Sequence, residues 1–217
     1  MKILNLYAGI GGNRKLWGNE HEITAVEYRK DIAAVYSSYF PNDKIVIGDA
    51  HQYLLDHYKE FDFIWASPPC PTHSKINFSN GGRWPVKYPD MKLYQEIILL
   101  QNWFTGIWVV ENVISYYNPL IQPQKSGRHY YWANFKIKDK DYKKYTNTKI
   151  SKGRKQIIRE AQIPELQTLH GFDLSETNIS NKRQILRNCV IPELGLHILN
   201  SALGKYFSDN TTQLALI

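Results

Sequence analysis

Through the first two-thirds of the chain, short runs of β-branched and aromatic residues alternate with longer stretches of helical spacing. Lys2–Tyr7 predicts a strand, followed by the Gly-rich turn Ala8–Gly12 and a helical stretch from about Asn13. Glu22–Tyr28 predicts a second strand, Ile32–Tyr39 a helix that stops before Pro41, and Lys44–Ile47 a third strand ending at Gly48-Asp49. Phe61–Ala66 predicts a fourth strand. Ser67-Pro68-Pro69-Cys70-Pro71 must end it, because proline has no N–H to give a sheet ladder. Thr72–Pro89, with Asn80-Gly81-Gly82, reads as a loop of a length that is usually functional. Asp90 then caps a helix through Asn102, and Ile107–Val110 predicts a fifth strand. Such alternation predicts an α/β fold, a mostly parallel doubly wound sheet with helices on both faces.

The last third reads differently. His129–Phe135 alternates like a strand, Pro164–His170 predicts a short helix, and Pro192 suits a first helical turn. Leu194, Ile198, Leu199, Ala202, Leu203 and Tyr206 line one face of a closing helix packed on the sheet.

A chain of 217 residues with 43% hydrophobic content suits one globular domain. No apolar run approaches the roughly 20 residues of a membrane span, and no cleavable leader is evident, so a soluble cytoplasmic protein is expected. The two cysteines, Cys70 and Cys189, lie far apart and lack zinc-ligand spacing. Each is either a small core residue or a nucleophile. The net charge of +7 is local: between Lys136 and Arg159 ten Lys and Arg face only Asp139 and Asp141. A polyanionic partner fits that stretch, as does a solvated loop.

A strand, a Gly-rich turn and a helix form a general nucleotide-binding element, although Ala8-Gly9-Ile10-Gly11-Gly12 lacks dinucleotide spacing. The helix N-terminus behind it is suited to an anion such as a carboxylate. Glu27, ending the second strand, is placed to accept from ribose hydroxyls, and Asp49, ending the third, from an adenine amino group. Turn, acid and acid at successive strand ends suit an adenosyl ligand without phosphates. Cys70 follows the fourth strand and Glu111-Asn112-Val113 the fifth, so a thiol and a carboxylic acid meet where open α/β sheets bind ligands. That pair can activate an electron-poor pyrimidine, the thiolate attacking C6 while the acid protonates N3.

Six segments in order resemble the DNA cytosine-5 methyltransferases. Leu6-Tyr7-Ala8-Gly9-Ile10-Gly11-Gly12 resembles the first motif, with Tyr7 where phenylalanine is usual. Pro68-Pro69-Cys70 resembles the nucleophile motif, and Glu111-Asn112-Val113 the acid motif. Arg128 in Gly127-Arg128-His129-Tyr130 stands at a cytosine-binding arginine, and Leu169-His170-Gly171-Phe172 resembles the motif before the final helix. Asn188-Cys189-Val190-Ile191-Pro192 is similar to the last motif. The resemblance implies a Rossmann-like S-adenosylmethionine-dependent methyltransferase fold. It implies Cys70, Glu111 and Arg128 as catalytic residues. It also implies Tyr7, Ala8, Gly9, Gly11, Gly12, Glu27, Tyr28, Asp49, Ala50, Pro69, Leu93, Asn188 and Cys189 as the S-adenosylmethionine site.

Three departures stand out. Ser126 replaces the first of two arginines, Arg187 replaces a glycine before Asn188, and the target-recognition region shrinks to a basic insert at 136–162. The chain resembles compact phage and bacterial members of the family, which implies double-stranded DNA as partner and the cytoplasm of a bacterium or phage-infected cell as location. Stacked cytosine hides C5 and C6, so the base must be flipped out. The loop after Cys70, with Lys75, Asn77, Arg83 and Trp84, is expected to close over it. Lys143, Lys144, Arg154 and Lys155 are expected on phosphates, with Arg128 on the base. His51, His57, His73 and His170 show no metal spacing, and Tyr130-Tyr131-Trp132 reads as strand core. Three alternatives remain open: the same chemistry on transfer RNA, an amino-group methyltransferase, and a non-catalytic module that needs a partner protein or second copy for recognition.

Overall fold

The computed structural model describes residues 1–78, 85, 87–138 and 157–205. Seven strands form one sheet: β1 (Lys2–Leu6), β2 (Glu22–Glu27), β3 (Lys44–Ile47), β4 (Phe63–Ala66), β5 (Ile107–Val113), β6 (Gln124–Ser126) and β7 (His129–Ala133). Among the described residues the α-helices are α1 (Lys30–Tyr39), α2 (Ala50–His57), α3 (Lys75–Phe78), α4 (Lys92–Trp103), α5 (Ile157–His170), α6 (Lys182–Asn188) and α7 (Pro192–Ala202). The strand order is β3-β2-β1-β4-β5-β7-β6. β3, β2, β1, β4 and β5 run parallel, and β7 is antiparallel to both β5 and β6.

Alternation along each strand sends side chains to opposite faces. Leu4, Leu6, Ile64, Ala66 and Val110 face α2 and α4, packing on Leu54, Leu93, Ile97 and Leu100. Ile3, Phe63, Trp65, Val109 and Tyr131 face the other way, onto Trp17 and the Leu194, Ile198, Leu199 stripe of α7. All four residues of β4 are buried, as expected of a central strand covered on both faces. The doubly wound expectation is met, and the closing helix starts at Pro192.

Several local expectations are corrected. No helix follows the Gly-rich turn. Residues 11–17 run through successive turns in which Lys15 N–H reaches the Gly12 carbonyl and Trp17 N–H the Arg14 carbonyl. Buried Asn13 is held instead by Asn5 through two reciprocal side-chain hydrogen bonds, Asn13 Nδ2 donating at 2.8 Å and Asn5 Nδ2 at 3.4 Å. Too few residues separate the turn from β2 for a covering helix, so Trp17 fills that space and donates to the Gly195 carbonyl at 3.2 Å. β4 begins at Phe63 rather than Phe61, because Asp62 N–H pairs with the Lys2 carbonyl outside the strand. The Thr72–Pro89 loop contains the short helix α3, and Pro164 lies inside α5 rather than opening it. α2, β6 and α6 were not expected. Tyr206 lies outside the described residues.

Candidate active site

Tyr7 leaves β1 with φ +57°, and Gly9 and Gly11 follow at +57° and +87°, so the chain doubles back at once. The turn is fixed from three sides. Gly9 N–H donates to Glu27 Oε2 at 3.0 Å, and Arg29 N–H to Glu27 Oε1 at 2.9 Å. A Cβ on Gly11 would lie 2.3 Å from the Phe40 ring. One on Gly12 would lie 2.2 Å from Cys189 Sγ and 2.3 Å from the Val190 carbonyl. The first and last motifs thus touch through a glycine. Cys189 is partly exposed as a residue, but its thiol is enclosed, and burial pushes it up to about 12, where it is inert.

Asp49 caps α2, its Oδ1 accepting from His51 N–H at 2.9 Å and Gln52 N–H at 3.4 Å. Lys92 Nζ stands 3.7 Å from its other oxygen. Ala50 and Leu93 are buried close by in the core, whereas Tyr28 is 77% exposed and Pro69 is exposed. Beneath the turn lies a polar group that the sequence reading missed. Glu96 Oε1 accepts from the Tyr7 hydroxyl at 2.5 Å and meets His51 Nδ1 at 2.8 Å. Burial, and then the Glu96 charge, push the Tyr7 phenol far above its usual range; the Glu96 bond raises His51. The signal was present: Leu93, Glu96, Ile97 and Leu100 share the buried stripe of α4, so Glu96 was marked as inward.

Cys70 sits on the segment that leaves β4, and Glu111 lies on adjacent β5. The Asn112 amide donates to the Pro68 carbonyl at 3.0 Å, tying the nucleophile segment to the acid's strand. Further on, Ser74 bridges Ser115, Tyr116 N–H donates to the His73 carbonyl at 3.2 Å, and His73 Nδ1 meets the Tyr117 hydroxyl at 2.6 Å. The N–H groups of His73 and Ser74 both close on the Cys70 carbonyl at 3.0 Å. Burial raises the Cys70 thiol above its usual value, and the Glu111 charge raises it further. Glu111 Oε1 lies 3.6 Å from His129 Nε2 on the antiparallel partner β7. Arg128, at the exposed turn before β7, follows Gly127 at φ +56°.

The loop after Cys70 divides. Asn77 is buried and pairs with the Lys87 backbone at 2.7 and 3.0 Å, while Thr72 Oγ1 accepts from Asp90 N–H at 3.1 Å. Asn77 therefore staples the loop's base, and Lys75 is exposed. Arg83, Trp84, Lys143, Lys144, Arg154 and Lys155 lie outside the described residues.

The profile of the C-5 cytosine-specific DNA methylase family matches residues 1–119, which include the Gly-rich turn, Pro68-Pro69-Cys70 and Glu111-Asn112-Val113. The chain belongs to this family. Among solved structures, a DNMT2 mutant from Spodoptera frugiperda is 28% identical over 52% of this chain and 35% of its own, with a TM-score of 0.36. The methylase chain thus aligns with about a third of that protein's length. The Entamoeba histolytica methyltransferase EhMeth is 10% identical, yet superposes over 95% of this chain and 98% of its own with a TM-score of 0.50. That likeness shows the methyltransferase fold. No curated protein matches.

S-adenosylmethionine is the methyl donor of the C-5 cytosine methylases, and the residues present fit it. A Cβ at Gly9 would meet nothing within 4 Å, so the turn leaves open space. The Glu27 and Asp49 carboxylates hold backbone N–H groups yet keep lone pairs for a ligand's hydroxyl or amino donors.

Proposed function

We propose that this methylase transfers a methyl group from S-adenosylmethionine to C5 of cytosine in DNA, through a covalent bond between Cys70 and C6 of a flipped base. The observation that carries the reading is the placement of Cys70 just beyond β4 and of Glu111 on the adjacent β5, with the Asn112 amide joining the two segments. S-adenosylmethionine supplies an electrophilic methyl group. Gly9, Gly11 and Gly12 would pass close to it, with Glu27 and Asp49 at the ribose and adenine ends.

The chain's own residues activate the acceptor. The Glu111 carboxylate takes the Cys70 thiol proton and passes it to N3 as the thiolate bonds to C6. The ring then carries electron density at C5, where the methyl is taken. Loss of the C5 proton to water and departure of the Cys70 thiolate restore the C5–C6 double bond, and the N3 proton returns through Glu111 to the sulfur. Arg128 would hold the base.

The test is transfer from labelled S-adenosylmethionine to duplex DNA, with transfer RNA and Cys70→Ala protein in parallel. DNA labelling that disappears in Cys70→Ala supports the reading. Labelling of transfer RNA alone moves the same chemistry to RNA, and labelling of neither polymer with donor still bound rejects a stand-alone enzyme.

A further inference from the structure

Glu96 is wholly buried on the apolar stripe of α4, with Leu93, Ile97 and Leu100. A leucine there would continue the stripe with no desolvation cost, so packing alone does not account for a carboxylate. What the carboxylate adds is direction. Both of its bonds fall on one oxygen: the Tyr7 hydroxyl donates to Oε1 at 2.5 Å, and His51 Nδ1 meets the same atom at 2.8 Å. A carboxylate can only accept, so the His51 ring turns a protonated Nδ1 towards it.

The two partners belong to different walls of the donor site. Tyr7 opens the turn that carries Gly9, Gly11 and Gly12, and it sits at φ +57° although it has a Cβ. A residue strained in this way persists only where its surroundings hold it. The bond to Glu96 is such a hold. His51 is the second residue of α2. Its backbone N–H donates to Asp49 Oδ1 at 2.9 Å while its ring reaches Glu96, so one residue joins the Asp49 carboxylate to α4. Lys92, one turn before Glu96, stands 3.7 Å from the other Asp49 oxygen. The turn follows β1 and Asp49 follows β3, two strands apart in the sheet, and Glu96 links them from α4.

We propose that Glu96 is a positioning residue for S-adenosylmethionine: through Tyr7 and His51 it fixes the distance between the Gly-rich turn and Asp49, the two ends of the donor site. The proposal rests on the donor site assigned above and adds to it a residue that acts only through its two partners. A ligand that spans both ends binds well only when their separation is already set, because ordering them on binding would cost affinity.

The experiment measures S-adenosylhomocysteine binding by calorimetry, with no nucleic acid present, alongside thermal unfolding of the same proteins. It compares wild type, Tyr7→Phe, Glu96→Leu, Glu96→Gln and, as a packing control, Leu100→Ala one turn further along the stripe. Tyr7→Phe loses one bond to the carboxylate and should bind about tenfold more weakly, and Glu96→Leu, losing both, about a hundredfold. In Glu96→Gln the amide oxygen can still accept from both partners, so affinity should return to within about threefold of wild type. Leu100→Ala should unfold at a lower temperature than Tyr7→Phe and yet bind as wild type does. Wild-type affinity in Tyr7→Phe and Glu96→Leu overturns the proposal. So does a Leu100→Ala protein that loses as much affinity as Tyr7→Phe, because general loosening then suffices. A Glu96→Gln protein as weak as Glu96→Leu overturns the route through the two bonds. Should Glu96→Leu fail to fold, Tyr7→Phe against Leu100→Ala decides the question. A wild type that binds no S-adenosylhomocysteine rejects the donor site itself, and the proposal with it.

Discussion

Replacing Gly12 by alanine puts one methyl group between the first and last motifs. Its carbon would lie 2.2 Å from Cys189 Sγ and 2.3 Å from the Val190 carbonyl. Ordinary contact distances are about 3.5–4.0 Å, so one side must move by more than about 1 Å. The sulfur could turn away, but the carbonyl belongs to the backbone that enters α7. Overpacking of this kind costs about 1–3 kcal/mol, and a backbone neighbour puts Gly12→Ala in the upper half of that range. For a chain of this length each kcal/mol lowers Tm by about 2–4 °C, which predicts a fall of about 4–12 °C. Gly9→Ala is the internal comparison. Its added carbon meets nothing within 4 Å, but φ +57° strains any L side chain, at a cost of about 1–2 kcal/mol. Thermal unfolding should therefore rank wild type above Gly9→Ala and Gly9→Ala above Gly12→Ala. Calorimetry with S-adenosylhomocysteine should show Gly12→Ala weakened beyond its loss of stability, because the displaced turn is where the donor is proposed to bind. A Gly12→Ala protein melting within about 1 °C of wild type would falsify this packing argument.

Three other outcomes follow from the same geometry. Burial and then the Glu111 charge hold up the Cys70 thiol. In Glu111→Gln, iodoacetamide should therefore alkylate Cys70 faster at neutral pH, with the midpoint of its pH profile moved down; an unmoved profile refutes the coupling. Asn112→Ala removes the donor to the Pro68 carbonyl and the acceptor of the Val113 N–H. About 2 kcal/mol of stability should go with them, together with most turnover, and wild-type stability in a denaturant titration would count against it. His51 is raised in the folded state by Glu96, so its contribution is complete below the unfolded value of about 6.5 and is lost as pH rises through the folded one. The Tm gap between wild type and His51→Gln should narrow as pH rises, and a constant gap rejects the pairing.

The local order of the chain determined much of this protein. Proline at 68, 69 and 71 had to end β4 and leave Cys70 on the segment beyond it, and the apolar runs of β1, β2 and β4 were readable because a sheet covered on both faces leaves nearly every strand residue buried. Adjacent strand ends then made Cys70 and Glu111 neighbours by topology alone. Elements with mixed composition were not readable. α2 and α6 carry too few apolar residues to show a periodic stripe, and β6 is only Gln124-Lys125-Ser126, a strand because β7 lies beside it. The expected helix after Gly12 failed for the opposite reason: its residues have suitable types, but Asn13 and Trp17 gain more from Asn5 and Gly195 than from a helical turn.

Side-chain partnerships were decided only by tertiary structure. Nothing in the order of residues says that Tyr7 would find Glu96, or that Asn77 would close its own loop on Lys87. Hydrogen bonds and charges act over a few ångströms in space, whatever the sequence separation, so their partners exist only once the sheet has brought distant strand ends to one edge.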